Sequence, residues 1–140
     1  MIFLLAGTSE ARTLTRLLHE AGFPVLVSTV TEHGAKTYRS QGIPVRTGRL
    51  DARGMLALFK EKGIRLVVDA THPFAVAAHQ EAAIAAQEAR IPCIRLDRKP
   101  LPLPVSPYLH PVQDDKEAAE VAAAIGGTVL LTTGSKHLSV

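Results

Sequence analysis

Short apolar runs and longer amphipathic stretches alternate along the chain, and that alternation sets the first picture of the fold. Residues 2–6, Ile-Phe-Leu-Leu-Ala, read as a buried strand. A helix is predicted over 9–21, with Leu14, Leu17 and Leu18 on one face and Gly22 as its stop. Residues 24–29 form a second predicted strand, a short helix follows over 34–40, and 43–46 make a third, short strand. Asp51 has the place of an N-cap for a helix reaching Lys62, with Leu56 and Phe59 inward and Gly63 closing it. Residues 65–69 read as a fourth strand, 74–89 as an Ala-rich helix and 92–96 as a fifth strand.

Strands that are apolar throughout, each separated from the next by a helix, predict a parallel sheet covered on both faces. Right-handed crossovers then give a doubly wound α/β sheet in the order 3-2-1-4-5. Character changes at residue 98. Prolines at 100, 102, 104, 107 and 111 forbid a helix and predict an extended linker over 98–113. Asp114 and Asp115 then cap a helix to about Ile125, and 128–131 read as a sixth strand. The expected organisation is thus an α/β domain over 1–97, the linker, and the incomplete start of a second α/β lobe over 114–140.

Composition narrows the function classes. Hydrophobic residues make up 46% and charged residues 21%, the balance of a folded globular chain rather than a disordered one. The net charge of +3 is scattered, with no basic run or aromatic-basic stripe, so nucleic acid is not an expected partner. The opening apolar run is far too short for a membrane span. Cys93 is the single cysteine, which excludes an internal disulfide and fits a reducing, cytoplasmic setting. Its apolar neighbours predict a buried structural thiol.

The polar clusters fall mostly after the strands, where an open parallel sheet binds its ligands. The first loop offers Ala6, Thr8 and Ala11 against the three small positions of a dinucleotide fingerprint, with Gly7 between them. It fits both a pyrophosphate cradle at a helix N-terminus and a plain tight turn. The second strand ends in Ser28 and Thr29, neutral hydroxyls where an NAD site often carries an acid, which favours NADP. His72 stands where strand 4 ends, placed to donate a proton or to cap the next helix, for which Thr71 competes. Asp69 fits either ligand orientation or local backbone bonding. No histidine pairs with Cys or a carboxylate at metal-ligand spacing, so no metal is expected.

Taken in order, six segments resemble the precorrin-6A reductase family of cobalamin biosynthesis. They are Gly7-Thr8-Ser9-Glu10-Ala11-Arg12, Ser28-Thr29-Val30-Thr31, Gly48-Arg49-Leu50-Asp51, Asp69-Ala70-Thr71-His72-Pro73-Phe74-Ala75, Arg95-Leu96-Asp97-Arg98 and the stretch from Leu131 to Lys136. The resemblance implies a Rossmann-like fold and an NADPH-dependent reductase that delivers hydride to one double bond of an anionic tetrapyrrole, giving precorrin-6B. It implies cofactor contacts from Gly7, Thr8, Ser9, Glu10, Ser28, Thr29, Thr31, Arg49 and Thr71. It also implies substrate contacts from His72, Phe74, Arg95, Arg98 and Lys136, with His72 as a candidate proton donor. Members of that family carry a second lobe that closes over the substrate, so this chain is expected to be a shortened form that self-associates through exposed apolar surface. Rival readings are an NADPH-binding sensor or scaffold without turnover, another NADP-dependent oxidoreductase, and a nucleotide-sugar or phosphate binder.

Overall fold

The computed structural model describes residues 1–97 and 102–132. The chain divides into two compact units, Met1–Lys99 and Pro100–Val140. In the first, five strands and four helices alternate: β1 (Ile2–Ala6), α1 (Ser9–Glu20), β2 (Val25–Thr29), α2 (Glu32–Arg39), β3 (Val45–Thr47), α3 (Ala52–Lys62), β4 (Leu66–Ala70), α4 (Val76–Ala89) and β5 (Cys93–Arg95). All strand pairs are parallel and the order is β3-β2-β1-β4-β5, as the sequence predicts. Leu4 at the centre of β1 lies beside Val27 on one side and Val68 on the other.

The two-residue period of the strands sends alternate side chains into two separate cores. Phe3, Leu5, Leu26 and Val67 meet Met55 and Phe59 of α3 and Ala82, Ala85 and Ala86 of α4. Leu4, Ala6, Val25, Val27, Val68 and Ala70 meet Ala11 of α1 and Tyr38 of α2. Phe3 and Phe59 pack edge to face, with ring centroids 5.3 Å apart.

Three helices of this unit start on a side chain that accepts a backbone N–H. Thr8 accepts from Ala11, Thr31 from Gly34 and Asp51 from Gly54. Such caps satisfy donors that the helix itself leaves without a partner. Gly63 ends α3 in the left-handed conformation, and Arg90 takes that same conformation after α4 without glycine's freedom.

Several boundaries and faces differ from the pattern-based expectation. Helix α2 begins at Glu32 rather than at 34, because Thr31 caps it. Strand β3 is shifted to Val45–Thr47, and α4 begins at Val76 after an irregular turn. The buried face of α1 is Ala11 and Thr15, with Leu14 and Leu18 beside it, while Leu17 is exposed. Met55, not Leu56, shares the inner face of α3 with Phe59, at the i, i+4 spacing one helix stripe requires. Cys93 is exposed rather than buried, because β5 is an edge strand whose three residues all face solvent.

In the second unit, residues 102–113 form neither helix nor strand, and α5 (Asp115–Ile125) follows on an Asp114 cap. The expected sixth strand is not formed. Residues 128–132 pair with no strand among the described residues, and Val129, Leu130 and Leu131 are exposed. A strand exists only through bonds to a neighbour, and the described residues of this unit supply none. No helix among the described residues is long and apolar enough to cross a membrane.

Candidate functional site

At the carboxyl ends of β1 and β2 the sheet opens into a cavity of about 420 Å³. Strand order places it where the crossovers diverge, with β1 leading to one side of the sheet and β4 lying on the other. Ala6, Gly7, Thr8 and Ser9 form one wall, Thr29, Val30, Thr31, Gly34 and Tyr38 a second, and Arg12 and His72 the remainder.

Both capping threonines lie on this wall, so the N-terminal ends of α1 and α2 converge on one space. Helix N-termini carry partial positive charge and N–H donors, which together favour an anion. The hydroxyls are already committed. Thr8 Oγ1 accepts from the Ala11 amide at 3.1 Å and donates to the Ala70 carbonyl at 3.0 Å, tying the β1–α1 turn to β4. Thr29 Oγ1 donates to the Thr31 carbonyl, and Thr31 Oγ1 accepts from the Gly34 amide. These side chains therefore shape the walls.

Gly7 lies against the loop after β4, where an added Cβ would meet His72 N and Thr71 Cα at 3.4 Å. A small residue is required for that approach, although its φ imposes no further demand. Arg12 is the cation on the wall, and among the described residues it makes no ion pair. Its charge pulls the phenol of Tyr38 down, against burial, which pushes it up more strongly. His72 is exposed, with its ring 5.2 Å from that of Phe74. His72 Nδ1 accepts from the Phe74 amide at 3.4 Å, which leaves the ring proton on Nε2.

The cavity thus gathers Gly7, Thr8, Ser9, Thr29, Thr31 and His72 of the sequence-predicted residues. Ser28 is not among them. One residue before Thr29, it points to the opposite face of the sheet, is buried, and accepts from Arg46 Nη1 at 2.9 Å. Arg46 also donates to the carbonyls of Thr47 and Gly48, and burial holds it below the usual arginine range. Glu10, Arg49, Thr71, Phe74 and Arg95 are not on the cavity wall either. Glu10 accepts from Ser9 Oγ, Arg49 is exposed, Phe74 is 86% exposed, and Arg95 Nε pairs with Asp97 at 2.7 Å. Arg98 and Lys136 lie outside the described residues.

Thr71 belongs to a network that sequence reasoning missed. Asp69, buried on the α3–α4 face, accepts from the Thr71 amide and from Thr71 Oγ1 at 2.7 Å, and it pairs with His79 Nδ1 at 2.6 Å. Burial pushes the Asp69 carboxyl up, but the hydrogen bonds from Thr71 and His79 outweigh it and hold the group below its usual range. An ionised carboxylate only accepts, so His79 Nδ1 carries a proton. His79 Nε2 lies 3.2 Å from the Pro73 carbonyl. At the start of α2, Glu32 bonds Arg39 and the Thr47 hydroxyl, and those bonds lower its carboxyl to about 2.

Arg12 was legible in principle. A cation in the first turn of a helix opposes the macrodipole, and that is a signal of a second purpose. Gly34 and Tyr38 gave no comparable sign, because their place on the wall depends on where α2 starts.

Fold and site define a class: an open, doubly wound α/β domain with an anion-favouring cleft at the switch point of its sheet. Residues 1–140 match the family described as precorrin-6x reductase CbiJ/CobK, and the chain belongs to that family. It is 41% identical to the cobalt-precorrin-6A reductase of Priestia megaterium over 100% of this chain and 54% of that protein. The Salmonella typhimurium protein of the same name is 35% identical over 99% of this chain and 53% of its own length. A solved structure, CobK precorrin-6A reductase, matches with a TM-score of 0.67 at 29% identity, covering 74% of this chain and 41% of its own. The chain spans about half the length of the curated relatives it matches.

Proposed function

We propose that this chain holds NADPH in the cavity at the ends of β1 and β2 and forms the cofactor-binding half of a precorrin-6A reductase. The observation that carries the reading is the convergence on a single cleft of two threonine-capped helix N-termini and one arginine, Arg12, that makes no ion pair among the described residues. A volume of about 420 Å³ falls within the range of small-ligand and cofactor sites, about 300–1,000 Å³. Gly7 and Gly34 let a pyrophosphate approach the backbone, and Arg12 supplies a charge-assisted contact to phosphate. No carboxylate ends β2 on the cavity wall, and the nearby Glu32 carboxylate is already engaged by Arg39 and Thr47, which supports NADPH over NADH.

Bound there, the nicotinamide supplies a hydride, and the acceptor is one double bond of an anionic tetrapyrrole. The chain's own part is alignment and exclusion of water. His72, by its place on the cleft wall, is the candidate donor to the reduced macrocycle, a role that its imidazolium form would fill. A chain with a single cysteine suits the reducing cytoplasm, where we place this chemistry.

A fluorescence titration with NADPH and with NADH tests the cofactor half. The expected result is saturable binding with at least about a tenfold preference for NADPH, roughly 1.4 kcal/mol. Equal affinity would overturn the 2′-phosphate reading, and binding of neither would overturn the cofactor reading. Saturation by ADP-ribose as tightly as by NADPH would instead favour a general nucleotide binder.

A further inference from the structure

We propose that His79 is a positioning residue that fixes the His72-bearing wall of the cavity. His79 stands in the first turn of α4, with its amide bonded to the Ala75 carbonyl, so the helix sets its place. From there the ring reaches back across the turn between β4 and α4. Nδ1 donates to Asp69 at 2.6 Å, with Thr71 Oγ1 3.2 Å away, and Nε2 donates to the Pro73 carbonyl at 3.2 Å. The two bonds together require a ring protonated on both nitrogens beside the ionised Asp69. The segment is thus held on both sides of His72, by Thr71 before it and Pro73 after it. His72 then lies on the cavity wall while its backbone N stays close to Gly7.

Two further observations separate this from ordinary burial of a polar pair. Helix α4 lacks the side-chain cap that α1, α2 and α3 each possess, so nothing at its N-cap fixes the approach of the chain. The bonds made within the turn itself all centre on His72. Its carbonyl accepts from Ala75 at 2.8 Å and its ring from the Phe74 amide. These local bonds close the turn on itself but tie it to nothing else. Asp69 ties Thr71 to the strand end, and His79, only 10% exposed, extends that tie past His72 to Pro73.

The two ring nitrogens can be tested apart. In His79→Asn the amide nitrogen takes the place of Nδ1, keeping the bond to Asp69 and losing the one to Pro73. In His79→Gln it takes the place of Nε2, keeping the latch on Pro73 while Asp69 retains only Thr71. Each variant is measured for thermal midpoint, for hydrogen exchange at the Phe74 and Ala75 amides, and for the His72 ring signals by NMR. NADPH affinity is measured alongside.

If His79 positions the wall, the rankings cross. The Asn variant is the more stable, yet its Ala75 amide exchanges about tenfold faster, as expected when one net hydrogen bond is lost. The Gln variant melts lower but keeps wild-type His72 signals and exchange within about threefold of wild type. The same ranking in both readouts, with exchange simply following the melting temperature, overturns the proposal. Should the Asn variant not fold, displaced His72 signals in the Gln variant do so alone. The NADPH arm rests on the function proposed above, with affinity falling about tenfold in Asn and little in Gln. A wild-type chain that binds no NADPH overturns that function, while the exchange data still decide the role of His79.

Discussion

Replacing Thr8 with alanine tests whether the β1–α1 turn is held by one hydroxyl acting in two directions. That hydroxyl accepts from the Ala11 amide at 3.1 Å and donates to the Ala70 carbonyl at 3.0 Å, both partly buried. Loss of a threonine N-cap costs about 1 kcal/mol, within a range of about 0.5–2. Losing the bond to Ala70 adds about 0.5–1.5 kcal/mol, because that carbonyl is left with one partner fewer. The sum is about 2 kcal/mol. For a unit of this size each kcal/mol moves the melting temperature by about 4–8 °C, so a fall of about 8–16 °C is expected. Thr8→Ser keeps the oxygen and should lose less than about 0.5 kcal/mol. Urea unfolding of the three proteins reads the difference as a shift in midpoint at constant slope. NADPH affinity should fall in the alanine variant and hold in the serine one, since the hydroxyl acts through the turn rather than on the ligand. Equal losses in both variants would refute the argument, because the effect would then belong to the missing methyl and not to the hydroxyl.

Other outcomes follow from single features. Arg12→Gln should weaken NADPH binding roughly fivefold, about 1 kcal/mol for an exposed charge-assisted contact, with little change for NADH; parallel titrations check it. Phe59→Ala, which empties the edge-to-face contact with Phe3, should cost about 3–5 kcal/mol in a denaturant midpoint assay. Arg90 stands in the left-handed conformation at a φ of 54°, so Arg90→Gly should raise the melting temperature by a few degrees, worth about 1 kcal/mol. Asp69 and Glu32 are both held below their unfolded values. Their stabilisation is complete above those values, near 4, and is lost as the pH falls through the folded ones, for Glu32 down to about 2. Urea midpoints taken from pH 5 to pH 2 should therefore decline, and Arg39→Ala should remove part of that decline.

The sheet was legible because β1 is an unbroken apolar run, β2 and β4 each open on one, and three of the four helices between strands stop at a glycine turn. Gly22, Gly42 and Gly63, all at positive φ, close three of the four crossovers. What periodicity does not carry is the exact phase of a helix or the partner of a strand. Leu17 and Leu56 look as apolar as their neighbours, and only the position of the sheet decides that Thr15 and Met55 are buried instead. The run 128–131 has the composition of a strand and still forms none, since pairing is a property of two segments. For the site, the loop after β1 and His72 could be found from the sequence, because glycine, threonine and histidine at a strand end are unusual in themselves. Asp69 and His79 were separable only in space. Nine residues lie between them, across a turn whose shape is not written in any spacing rule.

The alternation of side chains across the sheet gives the carboxyl edge two different faces, and the division follows chemical type. On the α1–α2 face, Ala6 and Thr29 end their strands on the cavity wall, where helix N-termini and Arg12 await an anion. On the α3–α4 face, Ser28 of β2 and Asp69 of β4 stand one residue before the ends of their strands. There they are consumed by Arg46 and His79, whose other bonds run to the loops at Thr47–Gly48 and at Pro73. Polar side chains on both faces therefore hold loops, Arg46 and His79 on one and Thr8 and Thr29 on the other, and only the second face carries the cavity. That arrangement explains why Ser28 and Thr29, adjacent and alike, have different work. A hydroxyl at 28 is a partner for a buried guanidinium, so Ser28→Ala should disturb the β3–α3 loop without reaching the cavity. A substitution at Thr29 acts on the cavity wall itself, through the bond that fixes the Thr31 carbonyl.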